Sequence, residues 1–258
     1  MLLAIDSGNT NAVFAVYEND TLRASWRVST NARRTADEYA VWLTQLLALD
    51  GLKPSDIDAT IVANVVPEAS FNLLQLCRRY LNCEPLIVGS AECQPGIGID
   101  VDMPSQNVGA DRVANAIAAQ DRYKPPLMVV DFGTTTNFDI VDKNGNFCGG
   151  IIAPGPNLSM QALQMAAAKL PHVEIGRPPA VVGRNTLDAM QSGVFWGYVG
   201  LIEGLVRRVR EERGEVMGTI GTGGLAPLFA AATDAIENVD PDLTVWGLRL
   251  IYRRNRNR

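Results

Sequence analysis

The residues best suited to chemistry occur in one short phrase that the chain carries twice. Asp6-Ser7-Gly8-Asn9-Thr10 follows the apolar run Leu2-Leu3-Ala4-Ile5, and Asp131-Phe132-Gly133-Thr134-Thr135 follows Leu127-Met128-Val129-Val130. Each copy reads as a buried strand that ends in an aspartate and turns through glycine into a hydroxyl-rich hairpin. Glycine lets backbone N–H groups approach an anion, Asn and Thr add donors, and aspartate can hold a hydrated cation beside phosphates. Two such turns facing each other would grip one nucleoside triphosphate. A single Asp-x-Gly turn would as readily only shape a hairpin.

The repeat extends beyond the turns. Second strands are expected at Ala12 to Tyr17 and Asn137 to Val141, and third strands at Leu22 to Val28 and Phe147 to Ala153. A further glycine-rich stretch, Thr219 to Ala226, is expected to link a strand (Val216 to Ile220) to a short helix (Gly224 to Thr233), where a nucleotide could approach the backbone closely. It lacks the G-x-G-x-x-G spacing, and no G-x-x-x-x-G-K-[ST] occurs in the chain, so neither a dinucleotide fingerprint nor a P-loop is present. Asn107-Val108-Gly109-Ala110-Asp111-Arg112 lies between a Gly/Pro-rich stretch and an alanine-rich helix expected at Val113 to Gln120. Asp111 could take a hydroxyl proton, and Arg112 offers a planar fork to an anionic group. Equally, Asp111 could cap that helix and Arg112 pair with a carboxylate.

The elements that would position these groups alternate. Thr35-Ala36-Asp37-Glu38 has the capping-box form ahead of a helix that Gly51 stops. A strand (Ala59 to Val66), a helix begun at Pro67 (Glu68 to Tyr80) and a short strand (Pro85 to Val88) follow. In the second half, helices are expected at Asn157 to Lys169 and Thr186 to Arg213, with Leu243 to Tyr252 closing the chain. The stripe Val194, Phe195, Tyr198, Leu201, Ile202 and Leu205 reads as core or subunit interface.

At 258 residues and 47% hydrophobic, the chain can bury two moderate cores, and the duplication suggests two domains, 1–118 and 119–258. The net charge of -5 argues against a nucleic-acid surface, and the basic tail Arg253 to Arg258 reads as a frayed, solvated end. No apolar run approaches the roughly 20 residues of a membrane span and no signal sequence is evident, so a cytoplasmic protein is expected. Cys77, Cys83, Cys93 and Cys148 show no metal-ligand spacing, and the sole histidine, His172, stands apart from them. Neither a zinc site nor a histidine-based triad is expected.

In order, Asp-x-Gly-Asn-Thr, Gly-Ala-Asp-Arg, Asp-Phe-Gly-Thr-Thr and Gly-Thr-Gly-Gly-Leu resemble type III pantothenate kinase, of the acetate and sugar kinase, Hsp70 and actin superfamily. The resemblance runs through nearly the whole chain, and Gly-Ala-Asp-Arg is its most discriminating motif. It implies an α/β fold of duplicated ribonuclease H-like (actin-like ATPase) domains, each a mixed sheet of three antiparallel strands plus parallel strands and helices. It implies ATP-dependent phosphorylation of pantothenate to 4'-phosphopantothenate, the first step of coenzyme A biosynthesis. Asp6, Ser7, Gly8, Asn9, Thr10, Asn11, Ala12 and Val13 would hold the ATP phosphates with Mg2+, and Thr134 would contact phosphate from the second turn. Asp111 would be the proton acceptor; Gly109, Ala110, Asp111, Arg112 and Thr186 would bind pantothenate. Asp131 would bind the monovalent cation, K+ or NH4+, and the family is expected to be homodimeric.

The chain departs from the family pattern at one place. Val101-Asp102-Met103-Pro104 stands where a Tyr-Asp-Asn-Pro-like stretch is expected, which implies altered pantothenate affinity or analogue tolerance. Two rival readings are a kinase of another small alcohol, such as a sugar, and a nucleotide-binding accessory factor in transcription. The intact Asp6, Asp111, Arg112 and Asp131 favour an enzyme, because a scaffold has no chemical need of a base.

Overall fold

The structure, a computed structural model, describes residues 1–104, 107–166 and 173–256. Its strands form two five-stranded sheets of one topology. Apolar strand β1 (Leu2–Ser7) pairs antiparallel with β2 (Asn11–Glu18), which pairs antiparallel with β3 (Thr21–Ser29). On its other side β1 pairs parallel with β4 (Ala59–Asn64), and β4 with the short β5 (Leu86–Ile87), giving the order β3-β2-β1-β4-β5. The second sheet repeats this with β6 (Leu127–Phe132), β7 (Thr135–Val141), β8 (Phe147–Pro154), β9 (Gly218–Gly223) and β10 (Asn238–Val239). Its order, β10-β9-β6-β7-β8, is the same sequence of pairings, antiparallel on one side of the first strand and parallel on the other. A duplicated unit is the simplest source of two sheets with the same strand order and pairing directions.

Helices cover the sheets where the sequence has apolar stripes. α1 (Ala36–Leu49) is capped by Thr35 in a full capping box with Glu38, and Gly51 (φ +73°) takes the left-handed conformation just beyond its end. Its buried Tyr39, Leu43 and Leu47 pack in one core with Phe14, Val16, Leu73 and Leu76. The helix expected from Pro67 to Tyr80 is continuous but changes pitch: a 3-10 turn at Pro67–Ala69, then α2 (Ser70–Gln75), then a π turn at Leu76–Tyr80. In the second sheet's core, α5 (Thr186–Arg213) buries Phe195, Tyr198 and Ile202 against Phe132, Phe138 and Phe229, so the long-helix stripe is core there. α4 (Pro156–Ala166) covers part of the helix expected at Asn157 to Lys169; residues 167–169, and His172, lie outside the described residues. α6 (Ala226–Ala230) is shorter than the expected Gly224 to Thr233.

Two expectations need correction. The alanine-rich helix α3 (Ala110–Arg122) begins three residues before the expected Val113, so the Gly-Ala-Asp-Arg motif lies in its first turn. Alanine and charged residues are compatible with helix, and nothing between Gly109 and Val113 breaks it. The basic tail is helix, not frayed coil: α7 (Leu243–Arg256) continues to Arg256, while Arg258 lies outside the described residues. Arg249 is 3% exposed, donates to the Asn19 carbonyl, pairs with Asp20 and lies 4.3 Å from the Trp246 ring centroid. Asn255 binds the backbone of Gln94 from both sides of its amide, and Arg254 donates to the carbonyls of Pro95 and Gly96.

By contact density the chain divides into two units: residues 1–97, 101–118 and 243–258 form the first, and 98–100 with 119–242 form the second. The sequence boundary after residue 118 had put 243–258 with the second half, whereas α7 belongs with the first sheet. Gly247 explains the fit, because a Cβ there would lie 2.0 Å from the carbonyl oxygen of Ala114 on α3. Thr244 also donates to Asn115 Oδ1 at 2.7 Å.

Candidate active site

Each duplicated turn sits at the carboxyl end of the central strand of its sheet, the end where ligands of open α/β sheets bind. In the first unit, Asp6 is half-buried, whereas Asn9, Thr10 and Asn11 are exposed. Gly8 N–H donates to the Asn11 carbonyl at 3.1 Å, and this closes the turn. Thr30, at the end of β3, ties it from outside, its amide donating to the Thr10 carbonyl (2.9 Å) and its hydroxyl to the Gly8 carbonyl (2.6 Å). Ser7 and Ala12 are fully buried, so they can serve a ligand only through the backbone; Ser7 Oγ has no hydrogen-bond partner among the described residues. Val13 is half-buried on β2.

The second turn is tighter. Gly133 N–H donates to the Thr135 carbonyl at 3.0 Å, and Thr134 is half-buried at the tip. Behind it, Gly155 donates to the Thr134 carbonyl at 2.9 Å and comes so near that a Cβ would lie 2.4 Å from that oxygen. Tyr198 of α5 holds the neighbouring Pro154 carbonyl. Thus Gly155, just beyond β8, is what backs the turn.

The strand expected at Val216 to Ile220 runs further into the glycine-rich stretch, as β9 (Gly218–Gly223). It is in parallel register with β6, so that Asp131 lies opposite Thr222 and Phe132 opposite Gly223. Gly223 (φ +87°) is the turning point, and a Cβ there would meet the Phe132 carbonyl oxygen at 2.6 Å and Asp131 Oδ1 at 2.9 Å. Absence of a side chain therefore leaves a carboxylate and a carbonyl side by side. Among the described residues, no group of three or more His, Cys, Asp or Glu could hold a metal. Any cation here would be held by one carboxylate plus backbone, phosphate and water oxygens, which suits hard cations.

Gly109-Ala110-Asp111-Arg112 opens α3 in the first unit. The Gly109 carbonyl accepts from Val113 N–H at 3.1 Å, the first helical bond. Asp111 lies inside the first turn, not at the cap, and its Oδ1 accepts from Arg112 N–H at 2.8 Å. A Cβ on Gly109 would sit 2.7 Å from that Oδ1, so any other residue there would push the carboxylate aside. Burial pushes the Asp111 carboxyl above the usual aspartate range, outweighing the Arg112 N–H bond and the Arg112 charge, which both act to lower it. A carboxylate of raised basicity at a helix N-terminus is suited to accept a proton near neutral pH. Thr186, exposed at the first position of α5, follows the cap Asn185, whose side chain accepts from Asp188 N–H at 2.9 Å.

The sequence residues thus gather at two places in the first unit, the Asp6–Val13 turn and the start of α3, and two in the second, the Asp131–Thr134 turn with β9 and the start of α5. Sequence reasoning did not mark Thr30, which holds the first turn, or Gly223 as the partner of Asp131. The signal for Gly223 was present in the glycine-rich stretch, but its opposition to Asp131 is a matter of register.

A family model described as type III pantothenate kinase matches residues 2–208. A type III pantothenate kinase from Paramagnetospirillum magneticum is 62% identical over 255 residues, 99% of this chain and 98% of that one. Another from Rhodospirillum rubrum is 60% identical over 255 residues, 99% of each chain. Among solved structures, a Campylobacter jejuni protein described as a Baf family transcriptional activator superposes with a TM-score of 0.63 at 21% identity, covering 99% of this chain and 100% of that one. A Sinorhizobium meliloti protein described as a 2-dehydro-3-deoxygalactonokinase gives 0.56 at 13% identity, covering 98% and 96%. At these identities the structures show a shared fold alone, the duplicated ribonuclease H-like architecture.

Proposed function

The chain belongs to the type III pantothenate kinase family and so is a kinase that uses ATP to phosphorylate pantothenate, the first step of coenzyme A biosynthesis; from that premise we propose how its residues divide the work. The Asp6–Val13 turn binds the ATP phosphates through backbone N–H groups and the exposed Asn9, Thr10 and Asn11, and Thr134 binds phosphate from the second turn. Asp111 accepts the proton of the terminal pantothenate hydroxyl as that oxygen attacks the γ-phosphorus and ADP departs. The single observation that carries this role is the carboxylate held inside the first turn of α3, partly desolvated and made more basic by burial. Gly109, Ala110, Arg112 and Thr186 bind pantothenate, with Arg112 the partner of an anionic group.

Asp131, beside the Phe132 carbonyl at the Gly223 turn, holds a monovalent cation, K+ or NH4+, and Asp6 holds hydrated Mg2+ beside the phosphates. Such ions neutralise charge on the transferring phosphoryl group, and phosphoryl transfer asks of a protein mainly that and in-line positioning. We read the enzyme as a homodimer of the cytoplasm. Its four cysteines are free thiols, which fits a reducing compartment, and no helix of the described residues is long and apolar enough to cross a membrane. Among the rival readings, the accessory-factor reading draws on the name of one structural relative at 21% identity, which speaks for fold alone.

Steady-state ADP release from Mg-ATP and pantothenate, with and without K+, tests the whole assignment. Pantothenate-dependent turnover that rises with K+ is expected. Turnover indifferent to K+ and NH4+ would remove the cation role of Asp131, and ATP binding without turnover would revive the accessory-factor reading.

A further inference from the structure

The Asp6–Val13 turn carries no positive charge of its own, since the first basic side chain in the chain is Arg23. Any basic side chain that reaches a triphosphate seated there, beside the metal ion, must come from elsewhere in the chain. The segment between β3 and α1 is stitched to that turn by both bonds of Thr30. Asn31 then folds the segment back, its carbonyl accepting from Arg34 N–H at 2.9 Å and its side chain from Arg33 N–H at 2.9 Å. These bonds hold Arg34 near the end of the sheet where the turn lies.

The surroundings of Arg34 leave part of its guanidinium without an acceptor. Its guanidinium lies 5.3 Å from the centroid of the Tyr39 ring, and its Nη1 is buried with no hydrogen-bond partner among the described residues. Tyr39 is itself fully buried and packs on Phe14, three residues beyond Asn11 on β2. Of the nearby acids on α1, Glu38 acts on Arg34 through its charge while its Oε2 accepts from the amide and hydroxyl of Thr35, and Asp37 is taken by Tyr80 and Arg79. A buried guanidinium nitrogen without an acceptor is costly in a folded protein, and the planar fork of arginine is matched to phosphate oxygens.

Resting on the reading that the Asp6–Val13 turn holds the ATP phosphates, we propose that Arg34 is a further nucleotide-binding residue, its guanidinium pre-set on Tyr39 to donate to those phosphates. The residue then acts on ATP and not on pantothenate. The test compares wild type with Arg34→Met, which keeps the apolar stem, and Arg34→Lys, which keeps the charge and loses the fork. KM for ATP, KM for pantothenate, affinity for Mg-ADP and for inorganic tripolyphosphate by calorimetry, and melting temperature are read for each. Arg33→Met, at the exposed neighbouring arginine, controls for general loss of charge.

The expected result is a rise of about 10-fold or more in the ATP KM and the tripolyphosphate Kd of Arg34→Met, one such factor being about 1.4 kcal/mol, with the pantothenate KM within twofold. Arg34→Lys recovers part of the loss, and Arg33→Met stays near wild type. An unchanged ATP KM, equal rises in both KM values, or an equal effect of Arg33→Met would overturn the proposal. Should Arg34→Met fail to fold, Arg34→Lys decides: polyphosphate affinity equal to wild type overturns it. Loss of the underlying reading looks different, because wild type itself would then show no pantothenate-dependent turnover.

Discussion

Asp111 shows how much one side chain's role depends on a few ångströms. Its sequence context offered both a base and a helix cap, and the cap is excluded by its position inside the first turn of α3. Burial raises its carboxyl, so folding favours the protonated form. Such a group contributes stability that is complete below the ordinary aspartate range and is lost as pH rises through the raised folded value. At neutral pH, ionised Asp111 therefore opposes folding. Asp111→Asn is expected to lower kcat by about 100-fold or more while leaving the melting temperature at neutral pH equal to wild type or higher. That advantage should vanish below the usual aspartate range, in melts followed against pH. A variant that loses stability at neutral pH together with activity would return Asp111 to a structural role. The buried hydroxyl of Ser7 carries the converse lesson, since its place in the motif did not reveal that its side chain faces the core.

At the level of elements, local rules were most legible where the interaction is itself local. The Thr35 capping box, the Gly51 stop and the start of α5 at Thr186 were all readable, because each depends on residues within four positions. Thr35→Ala removes the hydroxyl that accepts from Glu38 N–H while keeping the Thr35 N–H bond to the Glu38 carboxylate, and is expected to cost about 1 kcal/mol in the denaturant-unfolding free energy, with the unfolding slope unchanged. A loss near zero would mean that tertiary packing alone holds the start of α1. Where an element's identity depends on a distant partner, local reading failed. The strand read as Val216 to Ile220 was ended too early, because glycine is poor in strands, yet parallel pairing with β6 carries β9 on through Gly223. The first turn of α3 was taken for loop because Gly109 precedes it, and no local signal separates a glycine at a helix start from one in a loop.

On the scale of the whole chain, the duplication was visible and the closing of its first half was not. α7 buries Leu243, Val245, Leu248 and Ile251 in the unit formed by residues 1–97 and 101–118, more than 100 residues away in sequence. A chain ending at Asp242 is therefore expected to lose amide protection throughout β1 to β4 in hydrogen exchange while β6 and β7 stay protected, and to lose turnover. Protection lost first in β6 and β7 would instead assign α7 to the second half, as the sequence boundary had it.

The sequence by itself determined the two strand-turn-strand units, the aspartates at their turns and the Gly-Ala-Asp-Arg motif, because the periodicity of burial and the steric freedom of glycine are written in neighbouring residues. Tertiary structure alone decided that Gly223 stands against Asp131, that Gly155 backs the second turn, that Ser7 is buried, and that the C-terminal helix completes the first unit. Those facts rest on register and on close backbone approach between segments far apart in the chain, which no local pattern encodes.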